Sequence, residues 1–524
     1  MAKTCIVIGG GTSGLIAGAL LAKEGYAVTV LEKNLSCGGG LQMFSRSGTA
    51  FETGMHVIAG HHDGIVARLL DCLGIRDQIS VTDTDTECSD SIHVASEGRF
   101  YHIPRGKEAF IRYMSGEFPK ESEGIRAYVE EIFRIYASVP LVGETFGEAF
   151  GDSSGVPGNF GRAAFSAMPD INGGKAGMPA DEFVASYITD PRLMALLGYL
   201  NLMSGAVAGR TPAYVHAVIN ALYIEGAGRL DGGPASLVKE LCGIIAGAGG
   251  RVVCGERVTS LHTDAGRAVS VATEKGNEYV SDIFLWACGL RQLSAVAGQE
   301  CFSRVMRRRL DGMSGSFSAF VVFIRLKRGT VRYANRSMWW HRDIDSIWHP
   351  AAGDSPKWPS SLMYMTPPSE NQGVHADRMI IMSPLDYQTA VRFDGTEGRR
   401  RGEGYGEWKA AMTEKMLGCI EGLVPGLRDA CAEILSSSPL TVRDWYGTFE
   451  GAMYGMSRSC ADLPFAFIPP LTRLGNVFIA GQDTGLHGLC GAAATSLTAF
   501  RSITGKTWPE KSCPDKDTMK TTQL

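Results

Sequence analysis

The sequence predicts an α/β fold: a Rossmann-like nucleotide-binding domain assembled from discontinuous segments, with an α+β domain inserted between them. Three observations predict it. Residues 4–32 read as strand, glycine turn, helix, strand and terminal acid. Two further pieces of the same character recur at 232–290 and 476–500. The long stretches between these pieces, 107–225 and 300–445, follow neither pattern and mix helices with strands.

The first piece carries the most chemistry. TCIVI (4–8) is a short apolar run of strand type, and Gly9-Gly10-Gly11-Thr12-Ser13-Gly14 is a G-x-G-x-x-G. LIAGALLAKE (15–24) has helical composition, and YAVTVL (26–31) is a second strand that leads into Glu32. A dinucleotide fingerprint needs this whole context, with an acid about 20 residues beyond the glycines. Gly9 permits the tight turn, Gly11 lets backbone approach a pyrophosphate, and Gly14 with Gly18 lets the helix pack closely. The helix N-terminus, with Thr12 and Ser13, offers N–H groups and partial positive charge to phosphates. Glu32 suits ribose hydroxyls and disfavours a 2′-phosphate, where like charges would meet.

Composition narrows the function classes. The chain has 524 residues, enough for two or more domains, and is 44% hydrophobic and 20% charged. A net charge of −4 argues against a nucleic-acid partner. The 65 glycines have no period, so tight turns and close backbone approaches explain them better than a repeat. Thirteen cysteines, without a C-x-x-C pair, point to reduced thiols in a cytoplasmic protein and no metal site. The apolar N-terminus runs directly into the glycine turn, so no signal peptide is expected, and no apolar run is long enough for a spanning helix. Residues 511–524 are polar and read as a flexible tail.

In the second piece, GGPASLVKELCGIIAGAGG (232–250) reads as turn and helix, and alternating strands follow to residue 290. In the third, NVFIAGQDTGLHGLCGAAATSLTAF (476–500) reads as strand, glycine turn and small-residue helix. The nucleotide-binding domain is accordingly expected from 1–106, 226–298 and 446–510, and the substrate domain from 107–225 and 299–445. Within the insertions, 123–139 and 405–422 read as helices, 317–326 and 379–385 as strands, 142–178 as a Gly-rich loop, and the Trp-rich stretch around 339–358 as a loop.

These pieces, in this order, resemble FAD-dependent oxidoreductases of the phytoene desaturase type, and within them the branch of retinol saturases and carotenoid isomerases. The carrying stretches are Gly9 to Gly14 with Glu32, LEKNLSCGGG (31–40), FETGMHVIAG (51–60), GGPASLV (232–238), SPLTVRDWYGTFEGAMYGM (438–456) and IAGQDTGLHGLCG (479–491). The resemblance covers most of the chain and implies a two-dinucleotide-binding-fold flavoprotein. It further implies that Lys33, Gly38 and Gly39 border the FAD, that Val258 presents backbone to the adenine, and that Gly481, Asp483, His487 and Gly488 line the ribityl and ring end. One departure is Gly40, where the broader group often carries an arginine.

His56, His487 and Tyr454 are the candidate catalytic residues. Each also has a structural reading, as a packed or hydrogen-bonded side chain. Tyr446 flanks the same segment. Trp339, Trp340, Trp348 and Trp358 suit either a tunnel wall or core packing. The runs Arg307-Arg308-Arg309 and Arg399-Arg400-Arg401 suit solvated surface or peripheral contact with anionic lipid.

The resemblance implies an FAD-dependent enzyme acting on C=C or C–C bonds of a lipophilic, isoprenoid (retinoid- or carotenoid-like) substrate, as a saturase or polyene isomerase. A phytoene-type desaturase, an amine-oxidase-like flavoenzyme and a non-enzymatic prenyl-lipid escort protein are the alternatives. There is no second G-x-G-x-x-G for NAD(P)H, so electrons would come from NAD(P)H bound transiently at the flavin, from a partner protein or from a quinone.

Overall fold

A computed structural model describes residues 2–139, 171, 173–298, 300–368, 373–395, 401–465 and 467–506. Most of the Gly-rich stretch 142–178, the pair Arg399-Arg400 and the tail 511–524 lie outside the described residues.

The three separated pieces form one parallel sheet. Thr4–Ile8 lies at its centre, between Ala27–Glu32 and Ile283–Trp286. Arg251–Cys254 extends the sheet beyond Ala27–Glu32, and Val477–Ile479 closes the other edge. Successive residues of a strand face opposite sides. Cys5 and Val7 accordingly enter the main core under the helices, whereas Ile6 and Ile8 enter a second core. The second core is roofed by a small antiparallel sheet of Val258–Asp264, Arg267–Thr273 and Glu278–Val280. A parallel sheet covered on both faces needs apolar residues at nearly every position, which is why TCIVI shows no alternation.

The helix after the glycine turn spans Thr12–Lys23, three residues earlier than its apolar stretch suggests. Its first turn is built from small polar residues because that end faces the crevice rather than the core. It packs against Ala235–Gly247 and Gly488–Thr504, and Ser496 Oγ donates to Ser13 O at 2.9 Å. A side chain at Gly18 would sit 3.3 Å from Ile245 Cδ1, so the small face is what lets the helices close.

A seven-stranded sheet forms the other half. Its order is Cys431–Ser437, Ser318–Leu326, Arg378–Leu385, Ser361–Met365, Ser337–His341, Asp90–Val94 and Arg99–Ile103. The last two strands, grouped by sequence with residues 1–106 of the nucleotide-binding part, pair here instead: Asp90–Val94 runs parallel to Ser337–His341. Ala319, Val321 and Phe323 face the main core, while Phe320, Val322 and Ile324 face the helix Tyr405–Ile420. Helix Ser122–Ser138 matches the sequence expectation. Trp339 and Trp340 do not lie in a loop; they occupy the strand Ser337–His341 and point to opposite faces. Among the described residues no helix is long and apolar enough to cross a membrane.

Candidate functional site

The glycine turn leaves no room for side chains at Gly9 and Gly14. Gly9 has φ +105°, and a Cβ there would lie 2.5 Å from Cys288 Sγ. A Cβ at Gly14 would lie 1.9 Å from Gly9 O, well inside contact distance. Gly11 precedes the helix with no side-chain cap bond, so its first N–H groups remain directed at the crevice. Glu32 ends the neighbouring strand and is 6% exposed. Its Oε2 accepts from Gly10 N and its Oε1 from Asn34 N, both at 2.8 Å. Glu32 therefore holds the glycine turn as well as facing the crevice.

A second wall comes from the segment after Glu32. Gly38 N donates to Gly10 O at 2.6 Å. A Cβ at Gly39, where φ is +57°, would come within 3.0 Å of Gly11 Cα. Two backbone segments thus run side by side with only glycines between them. Gly40 differs: nothing lies within 4 Å of a Cβ built there. Lys33 crosses to the later segment, where its Nζ donates to Asp444 O at 2.5 Å. Burial, with Arg257 nearby, pulls the Lys33 ammonium below its usual range.

Asp483 closes the crevice from the far edge of the sheet. Its Oδ2 accepts from Leu290 N at 3.1 Å and its Oδ1 from Met456 N at 3.0 Å. One carboxylate thereby joins three stretches that the chain separates by up to 193 residues. Gly481, with φ +120°, turns the strand end without blocking the space beside it.

A single cavity of about 2740 Å³ joins these parts. Drug-sized ligands occupy roughly 300–1,000 Å³, so this one has room for a dinucleotide and a substrate. Gly9, Gly11, Thr12, Ser13, Glu32, Lys33, Gly39, Val258, Gly481, Asp483, His487 and Gly488 all line it. Gly14 and Gly38 stand behind the wall, one packing the helix and the other bonding the turn. The candidate catalytic residues His56, His487 and Tyr454 line it too, as does Tyr446. Trp339, Trp340, Trp348 and Trp358 do not. They are held in the core, with Trp339 Nε1 bonded to Asp90 at 2.8 Å and Trp358 Nε1 to Pro384 O at 2.7 Å.

At the end away from the glycine turn, Met203, Ile219, Leu222, Tyr223 and Phe323 make the wall largely apolar. His487 precedes the helix Gly488–Thr504 and is buried, and its Nε2 has no hydrogen-bond partner. Burial first, and then the Arg458 cation, push its pKa down to about 4, so it is neutral at pH 7. Its ring lies 4.8 Å from that of Tyr454. Tyr454 Oη donates to Leu202 O at 2.8 Å, and burial raises its pKa, keeping the phenol protonated. His56 Nδ1 pairs with Glu52 Oε2 at 2.9 Å, both side chains buried. Arg458 is a residue that sequence patterning misses. Its guanidinium bonds Gln482 O and Gly485 O and so holds the turn that carries His487. No motif marks it, because its partners are backbone carbonyls.

The apolar wall, the backbone cradle and an unpartnered imidazole nitrogen fit a flat redox cofactor with a pyrophosphate tail. Among the described residues, one group converges as metal ligands do, His61, His62 and Asp83. Asp83 is already ion-paired with Arg105, whose positive charge opposes a dication there.

Known proteins resemble this chain in sequence and in fold. The all-trans-retinol 13,14-reductase of Rattus norvegicus is 25% identical over 536 residues, covering 95% of this chain and 85% of that protein. The chloroplastic prolycopene isomerase of Arabidopsis thaliana is 26% identical over 292 residues, covering 52% of this chain and 45% of that protein. Putrescine oxidase bound to putrescine shares the fold at 12% identity and a TM-score of 0.61, over 97% of this chain and 100% of that one. A fatty acid isomerase from P. acnes does so at 13% identity and a TM-score of 0.59, over 96% and 98%. Residues 12–376 match the flavin containing amine oxidoreductase family, which uses FAD, and with the cradle built on Gly9 to Gly14 the chain belongs to that family.

Proposed function

We propose that this protein reduces or isomerises a C=C bond in a lipophilic, isoprenoid substrate of retinoid or carotenoid type. The observation that carries the reading is the single cavity, which passes from the glycine cradle to an apolar chamber without an intervening wall. A charged or strongly polar substrate would lose water against the apolar part of that wall. The retinol reductase and prolycopene isomerase relatives act, by their names, on molecules of this character.

Gly9, Gly11, Thr12, Ser13, Gly14, Glu32, Lys33, Gly38 and Gly39 hold the nucleotide half of FAD in this reading. Val258 borders its adenine, and Gly481, Asp483, His487 and Gly488 border its ring half. Bound FAD supplies two-electron hydride chemistry. The chain excludes water and orients the polyene between Tyr454 and the apolar wall. Neutral His487 offers an uncharged face, so the chamber does not fix a cation beside an apolar substrate. Tyr454 holds a proton that saturation requires at the carbon next to the hydride acceptor. His56, paired with Glu52, is a second proton-holding group. In isomerisation the same groups position the chain and no proton is consumed. NAD(P)H is the proposed electron donor for saturation. The helix Arg304–Gly312, which presents exposed Val305 beside Arg304 and Arg308, is the proposed contact for anionic lipid; sedimentation with anionic liposomes at low salt tests it.

The test is anaerobic incubation of the flavin-loaded, NAD(P)H-reduced protein with retinoids, carotenes and enone lipids, read by mass spectrometry. Addition of two hydrogens to the polyene, or a new retention time at unchanged mass, supports the reading. Loss of two hydrogens on the oxidised flavin makes it a desaturase. In a parallel aerobic incubation, where O2 reoxidises the flavin, peroxide release with putrescine and no polyene turnover overturns it in favour of an amine oxidase.

A further inference from the structure

Behind the nucleotide cradle lies a thiol cluster that neither the cofactor nor the substrate chemistry uses. Cys37 sits in the segment that carries Gly38 and Gly39, and Cys242 sits on the helix Ala235–Gly247. Their Sγ atoms are 3.5 Å apart across 205 residues of chain. Both residues are partly exposed, so a small oxidant reaches them. Cys254, on the strand paired with Glu32, stands close enough to influence both thiols.

We propose that Cys37 and Cys242 are a thiol–disulfide modification site whose oxidation locks the cradle around the nucleotide. A disulfide needs the sulfurs at about 2.05 Å, so closure asks for a movement of about 1.5 Å, within reach of side-chain rotation on a short loop. The oxidant is a hydroperoxide or a small disulfide. With a hydroperoxide, one thiolate attacks the peroxide oxygen to give a sulfenic acid and an alcohol or water. The second thiol then displaces water from that sulfur, so the S–S bond forms and the O–O bond is the two-electron acceptor. With a small disulfide, two exchange steps release two small thiols.

Position gives the bond its consequence. Cys37 Cβ lies 3.1 Å from where a Gly10 side chain would begin, and the next residue, Gly38, donates to Gly10 O. Tying Cys37 to a helix packed against Thr12–Lys23 fixes both walls of the turn to one rigid block. A nucleotide held between those walls leaves only when they part, so the disulfide slows its release. This consequence rests on the assignment of the Gly9–Gly14 turn to the FAD pyrophosphate; the cross-link itself does not.

The flavin-loaded protein is treated with hydrogen peroxide or oxidised glutathione, digested without reduction and mapped by mass spectrometry. Flavin release is followed by fluorescence before and after dithiothreitol. The expected result is a Cys37–Cys242 cross-linked peptide and release slowed by about tenfold, restored by dithiothreitol. Cys37→Ser and Cys242→Ser each abolish both effects, whereas Cys254→Ser keeps the Cys37–Cys242 peptide. Absence of that peptide, with either oxidant, overturns the site. A cross-link with unchanged release overturns the locking while leaving the cofactor assignment intact. A protein that binds no FAD when oxidised or reduced overturns the assignment and the locking together.

Discussion

The two ends of the cavity are built by opposite means. The end proposed to hold the nucleotide is backbone: Gly9, Gly11, Gly14, Gly38 and Gly39 are packed against one another, and Glu32 and Asp483 have both oxygens engaged by N–H groups. The end proposed to hold the substrate is side chain: Tyr454, His487, Leu222 and Phe323 arrive from separate elements, and His487 Nε2 is left without a partner. Gly9 and Gly14 there tolerate almost no substitution, because each is fixed by sterics. A side-chain site of this kind can be altered one contact at a time, so substrate preference can change while cofactor binding stays.

The largest expected effect breaks the backbone end. Gly14→Ala places a methyl group 1.9 Å from Gly9 O, which demands backbone movement and costs about 3 kcal/mol or more. The purified variant is expected to carry little flavin by absorbance and to unfold earlier in urea.

The next effect belongs to the substrate end and is read as pH dependence. The folded-state pKa of His487 is about 4, below its unfolded value, so the unfolded chain binds more protons between those values. Stability is fully present above about pH 6.5 and is lost as pH falls toward 4, on the order of 3 kcal/mol from this group. His216 and His341, lowered to about 3 by burial, act in the same direction. Urea midpoints at pH 7.5 and pH 5 measure the loss, and His487→Gln is expected to flatten it. An unchanged slope in that variant removes His487 from the account.

Asp483→Asn ranks third. An amide has one acceptor oxygen where the carboxylate has two, so the bond to Leu290 N or Met456 N is lost, at about 1.5–3 kcal/mol. Weaker flavin retention in equilibrium dialysis is the expected outcome. Tyr454→Phe follows, with about 1 kcal/mol of stability from its bond to Leu202 O. Flavin content is expected to stay and polyene saturation to fall, which separates the two ends directly. Smallest is Gly40→Ala, the cradle position with open space around its Cβ: the apoprotein is expected to gain about 0.5 kcal/mol in urea unfolding.

Much of the nucleotide end was legible before any coordinates. The TCIVI strand, the spacing of Gly9, Gly11 and Gly14, and Glu32 at the next strand end are local patterns, and local sterics decide them. Other parts were not legible. The four tryptophans suited either a tunnel wall or core packing; a strand of period two sends Trp339 and Trp340 to opposite faces, and both are spent on core packing. Strand Asp90–Val94 gave no sign of its partner Ser337–His341, because that pairing spans almost 250 residues. Arg458 carried no motif, since it recognises carbonyls that only the fold brings near.

By itself, then, the sequence determined the nucleotide turn, the acid that steadies it and the order of the pieces that form the parallel sheet. These depend on φ/ψ sterics and strand periodicity, which act over a few residues. Only the tertiary structure decided that Asp483 would join Leu290 and Met456, that His487 would be desolvated beside Arg458 to a neutral imidazole, and that Cys37 would meet Cys242. Such contacts are made between distant segments, and their energetics come from burial and charge proximity that no local window contains.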